Sequence, residues 1–132
     1  MPKSDWLKNA FLNHLYNGAT LTLPATIYIA LYTSAPTTAG GGTEVAGGAY
    51  ARVAITRNTT NFPTTSNGTM ANAVIANYAQ ATAAWGSIVA AASFDALTGG
   101  NMIKFGVMLT PRTIGVGDQF SFAPGAILDT ET

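Results

Sequence analysis

A hydrolytic centre needs a nucleophile or a metal beside a positioned base, and this chain offers one histidine and no cysteine from which to build one. His14 falls one residue before the apolar Leu15 in a segment of helical periodicity, where a helix-surface or packing role is the ordinary expectation. The acids Asp5, Glu44, Asp95, Asp118, Asp129 and Glu131 read as dispersed, without a carboxylate pair to divide general acid and general base roles. Asp95 and Asp118 stand in turns between strands, where oxygen ligands can converge on calcium, but turn formation accounts for both. Gly40-Gly41-Gly42 is followed by Thr43-Glu44 and a strand instead of a helix, so it is not a phosphate loop. The expectation is a non-enzyme with no cofactor and no required metal.

The composition points the same way. Hydrophobic residues make up 48% of the 132 residues, enough to fill a core, yet charged residues are only 9% and the formal net charge is +0. A surface this neutral gives no long-range repulsion between copies. Ala and Thr supply about a third of the chain, so Thr and Asn must do much of the solvating. The six cations, Lys3, Lys8, Arg52, Arg57, Lys104 and Arg112, are scattered and form no patch that would release counterions from nucleic acid. No run approaches the roughly 20 apolar residues of a membrane span; the longest candidate, Ile88 to Phe94, ends at Asp95. Met1 to Asp5 lacks the apolar core of a signal peptide.

The elements that would hold such a surface begin with one helix. Ser4 and Asp5 are good N-caps, Trp6, Leu7, Ala10, Phe11, Leu15 and Tyr16 recur at helical spacing, and Asn17-Gly18 closes the segment. The pattern predicts a helix over about 5–16 with Lys8, Asn9 and Asn13 on its wet side. Strands are expected over Ile27 to Tyr32, Tyr50 to Thr56, Met70 to Ile75, Gly86 to Phe94 and Met102 to Leu109, the last stopped by Pro111. Short terminal strands follow at Gln119 to Phe122 and Ala126 to Leu128. Thr33 to Gly48 reads as a long surface loop and Asn58 to Gly68 as a second one, whose Asn-x-Thr sequons at Asn58 and Asn67 are plain turn chemistry. The fold class expected is all-β, or β-rich α+β: an antiparallel β-sandwich of about seven short strands over about 24–129, with one N-terminal amphipathic helix. The whole of 1–132 is expected to be a single domain.

Within that frame, alternation over Tyr50 to Thr56 assigns Ala51, Val53 and Ile55 to the core and leaves Tyr50, Arg52 and Ala54 outward. Tyr50, Arg52, Ala54, Tyr78 and Trp85 are the candidate interface residues, set against core packing as the plainer role for the aromatic ones.

Six blocks then carry a resemblance along nearly the whole chain. They are SDWLKNAFLNHL from Ser4, PATIYIALYTSAPT from Pro24, GTEVAGGAYARVAIT from Gly42, ATAAWGSI from Ala81, FDALTGGNMIKFG from Phe94 and GDQFSFAPGAI from Gly117. In this order and spacing the chain resembles the short tailed-bacteriophage proteins called tail-fibre proteins. The resemblance implies a structural component of the virion, assembled in the host cytoplasm, whose partners are copies of itself and other virion proteins. Two alternatives are carried beside the tail-fibre reading. One is a capsid decoration protein; the other is a receptor- or glycan-binding module that meets a host surface receptor, with Tyr50, Tyr78 and Trp85 exposed for stacking.

Overall fold

The computed structural model describes residues 1–131. Its first element is α1 (Asp5–Asn17), entered through Ser4, whose hydroxyl accepts from the Leu7 N–H, and closed by Gly18 in the left-handed conformation. Among the described residues nine strands follow: β1 (Thr26–Ser34), β2 (Thr43–Glu44), β3 (Val53–Thr56), β4 (Thr69–Ala71), β5 (Ala76–Asn77), β6 (Gly86–Phe94), β7 (Met102–Ile114), β8 (Ser121–Phe122) and β9 (Leu128–Thr130).

All the strand pairings are antiparallel. β1 is the middle of a five-stranded sheet, with β6 and then β7 on one side and β2 and β3 sharing its other edge. Two ribbons, β4 with β9 and β5 with β8, take the place of a second continuous sheet. They pack on it through apolar side chains: Ile29 and Ile55 meet Ala76, Phe122 and Ile127, while Leu31 and Ile88 meet Tyr78, Trp85 and Phe120. The alternate residues of β1, Ala30 and Tyr32, join Ala90, Ala92, Phe94 and Phe105 in a separate cluster, as the two-residue period of a strand requires.

The strand-rich class with one N-terminal helix stands as expected, and four local expectations change. The loop from Thr33 to Gly48 contains β2, which pairs with the end of β1, and Val45 behind it is buried. The strand expected over Met70 to Ile75 breaks at Asn72, whose buried side chain donates to the carbonyls of Val74 and Ala123 and accepts from the Ile127 N–H. Pro111 does not stop β7. Val107 pairs with Ala90 and Arg112 with Ile88, so residues 108–111 bulge out opposite Val89 alone, and a residue without an N–H is tolerated there. Finally, Leu7 is the one buried side chain of α1, and Leu15 and Tyr16, expected to face the core, are exposed.

Candidate functional site

The outer edge of β1 has a gap, because β3 pairs with it as far as Ile29 and β2 begins at Tyr32. Two tyrosine hydroxyls fill it. Tyr50 Oη accepts from the Leu31 N–H at 2.9 Å, and Tyr78 Oη donates to the Ile29 carbonyl at 2.8 Å. Buried backbone groups left bare here would cost about 1–3 kcal/mol each, so these phenols act as side-chain substitutes for a strand. Trp85 closes the group by donating from its indole to the Gly48 carbonyl at 2.9 Å. The Tyr50 and Trp85 rings meet edge to face at 5.5 Å, and Tyr78 meets Phe120 the same way at 5.6 Å. Gly48 has φ +59, and a Cβ there would lie 2.9 Å from both the Ala83 carbonyl oxygen and the Trp85 indole nitrogen, so glycine is required.

Arg52 is 8% exposed, which overturns its expected outward position. The regular strand starts only at Val53, after a turn at Gly47 to Tyr50 in which Ala49 has φ 67, so the alternation read back from Ile55 fails before Val53. Val53, Ala54, Ile55 and Thr56 keep the expected parity, but Ala51 is exposed. Arg52 Nε and Nη2 donate to the two carboxylate oxygens of Glu44 at 2.9 Å, and Nη1 donates to the carbonyls of Ala96 and Gly99 at 2.8 Å. Its guanidinium carbon lies 3.8 Å from the centroid of the Phe94 ring. Burial works to raise the Glu44 carboxyl, but hydrogen bonds from Arg52 and Tyr50 outweigh it and hold the group below its ordinary value. Burial works to lower Arg52, and the Glu44 carboxylate raises it instead. This corner is a charge-neutral staple joining β2, the start of β3 and the turn after β6.

Among the five candidate interface residues, only Ala54 is exposed. Tyr78 is 2% and Trp85 5% exposed, so neither ring is open for stacking, and Tyr50 is half-buried. The acids are also less dispersed than the sequence suggests. Lys104 pairs with Asp129 at 2.7 Å and Glu131 at 2.9 Å, and Glu131 also pairs with Lys3. Burial opposes the charge on Lys104, yet the two carboxylates raise its pKa, and Lys104 and Lys3 lower that of Glu131. The two-residue spacing of Asp129, on β9, and Glu131, just after it, was the signal for this cluster; its cations lie far away in sequence.

Asp95 accepts from the Asn101 backbone N–H at 2.7 Å and Asp118 from the Gly115 N–H at 2.8 Å, each closing its own turn. His14 is exposed and donates from Nδ1 to the Ala19 carbonyl at 2.9 Å. Among the described residues no group of three His, Cys, Asp or Glu side chains could hold a metal ion, and no helix is long and apolar enough to cross a membrane.

Two surface features lay outside the sequence reading. The bulge of β7 carries Leu109 fully exposed at 104%, between exposed Val107 and Pro111. On another side, an open hollow of about 510 Å³ lies where the start of α1, Tyr32, Arg52 and the turn before β7 meet.

The fold is strand-rich with one N-terminal helix, and its buried charged groups act as staples. The chain belongs to the Gp80 family, described as "Podophage GP4 fiber I protein gp80", whose model matches residues 2–129. It is thus a virion component of the tail-fibre kind. No curated protein matches the chain.

Proposed function

We propose that the chain works as a tail-fibre or tail-associated structural subunit by assembling, as one folded unit, with copies of itself and with other virion proteins in the host cytoplasm. The observation that carries this reading is apolar surface left uncovered in the single chain. Leu109 stands fully exposed on the β7 bulge, and Tyr16, at 84%, is exposed with Leu12 and Leu15 on α1. A chain with so little charge gains from burying such groups between neighbours, at about 25 cal/mol for each Å² removed from water.

The test is Leu109→Asp, with Ala54→Glu on the exposed side of β3, in a phage that depends on the variant chain for its particles. A charge on a buried contact surface should cut incorporation strongly while leaving the isolated subunit folded. Full incorporation of both variants would refute the reading for these surfaces. Electron microscopy of labelled particles separates tail from capsid decoration, and label on the capsid faces would overturn the tail position.

A further inference from the structure

Asparagine followed by glycine occurs twice, at Asn17-Gly18 and Asn67-Gly68. An asparagine side chain is most labile before glycine, which has no Cβ to keep its backbone nitrogen away from the neighbouring amide. That nitrogen must lose its proton and reach the side-chain carbon, and the side-chain nitrogen must leave. A folded chain permits this only where both nitrogens are free of other bonds.

The two pairs begin alike. Both are exposed, and Asn17 Oδ1 accepts from the Ala19 N–H as Asn67 Oδ1 does from the Thr69 N–H, each at 3.1 Å. Such a bond folds the side chain back over the peptide that follows it. The nitrogens differ. At the end of α1 the Gly18 N–H donates to the Asn13 carbonyl, and Asn17 Nδ2 donates to Asn13 Oδ1 at 3.1 Å. Attack there would undo the closing turn of the helix. Before β4, neither the Gly68 N–H nor Asn67 Nδ2 has a hydrogen-bond partner among the described residues. The Thr65 hydroxyl, shared with the Thr69 carbonyl, also lies 2.8 Å from Asn67 Oδ1. Donors therefore face the oxygen on which negative charge develops during attack.

We propose that Asn67 is a self-modification site, converted in the folded chain to aspartate and isoaspartate while Asn17 is held intact. The Gly68 N–H gives its proton to water, and the nitrogen bonds to Asn67 Cγ. The Cγ–Nδ2 bond breaks, and Nδ2 takes up a proton and leaves as ammonia. Water then opens the succinimide ring, at the side-chain carbonyl to give aspartate or at the backbone carbonyl to give isoaspartate. A chain of formal net charge +0 thereby gains a negative charge. The change falls at the end of the β4–β9 ribbon, where the Gly68 carbonyl accepts the Glu131 N–H at 2.8 Å beside the pairing of Thr69 with Thr130. Isoaspartate lengthens the backbone by a methylene there and loosens that end.

The experiment ages the full chain in oxygen-18 water at mildly alkaline pH, folded and in urea. Peptide mass spectrometry reads both sites, and an isoaspartate methyltransferase assay reads the branched product. In the folded chain Asn67 should take up solvent oxygen at least about tenfold faster than Asn17, and in urea the two rates should become similar. Asn67→Gln should abolish the acidic species, and hydrogen exchange at the Glu131 amide should quicken in the converted fraction. The assignment is overturned if folded Asn67 is as slow as Asn17, if folded Asn17 is as fast as Asn67, or if the acidic species survives in Asn67→Gln. Asn17 staying slow in urea would also overturn it, since the bonds to Asn13 would then not be what protects that site. Unchanged exchange at Glu131 would overturn the loosening of the ribbon.

Discussion

The Arg52 corner and the bulge of β7 are both departures from a regular ladder, and they end in opposite states. At the corner, a turn through Ala49 swings a charged side chain inward, where all three guanidinium nitrogens donate and the charge is cancelled by Glu44. At the bulge, four residues face a single partner residue, and Leu109 is pushed wholly into solvent. A protein with six cationic and six acidic side chains thus uses a charge inside and leaves apolar groups outside. The physical lesson is that the interior staple holds the subunit itself together, whereas the protruding leucine buries nothing in the isolated chain and, on the function proposed above, is left for a neighbour.

That contrast can be broken by mutation. Arg52→Ala should have the largest effect, about 3–5 kcal/mol, because it strands the Glu44 carboxylate and the two turn carbonyls in a buried place. Urea denaturation measures it, and the double variant Arg52→Met with Glu44→Gln should recover part of the loss by removing both charges. If the single variant is as stable as the parent, the corner is not a staple. Tyr50→Phe should cost about 1–3 kcal/mol, since the Leu31 N–H then loses its acceptor and Glu44 a donor.

Acid should probe the same corner more gently. The folded state holds Glu44 below its ordinary 4.5, so the unfolded chain binds more protons as pH falls. The stabilisation from Glu44 is fully present above about pH 4.5 and is lost as pH drops through the lower folded value. Glu131, also lowered, adds to the loss in the same window. Comparing the parent with Glu44→Gln in denaturation at pH 7 and pH 3 should show the difference between them shrinking on acidification; an unchanged difference would remove Glu44 as a source of the acid sensitivity. The smallest effect belongs to the bulge. Leu109→Asp should change the stability of the isolated subunit by less than about 0.5 kcal/mol, and a larger loss would show that the bulge is part of the core after all.

Much of the fold was legible along the chain. The run of β-branched and aromatic residues at Ile27 to Tyr32 lies within β1, and Gly86 to Phe94 is β6 from end to end. The capped start of α1 follows from Ser4, which accepts the Leu7 N–H as such a residue should. Six ordered blocks also sufficed to suggest a tail-fibre protein, because a family is recognised by residue identity and order, for which no contact need be known. The reading faltered wherever burial depended on a distant segment. Alternation assigned Arg52 outward because a two-residue period presumes a strand, and no strand exists there. Pro111 was a stop because its missing N–H was set against an unbroken ladder.

The sequence by itself therefore determined the elements with strong local patterns, the low charge and the kind of protein, since these rest on composition, periodicity and identity. Tertiary structure alone decided which side chains are available. It placed Tyr50 and Tyr78 in the gap along β1, left Tyr16 and Leu109 uncovered, and gathered Trp6, Tyr32 and Asn101 around one hollow from segments far apart in the chain. The reason is physical. Periodicity tells which residues share a face, but whether a face is covered depends on what else folds against it.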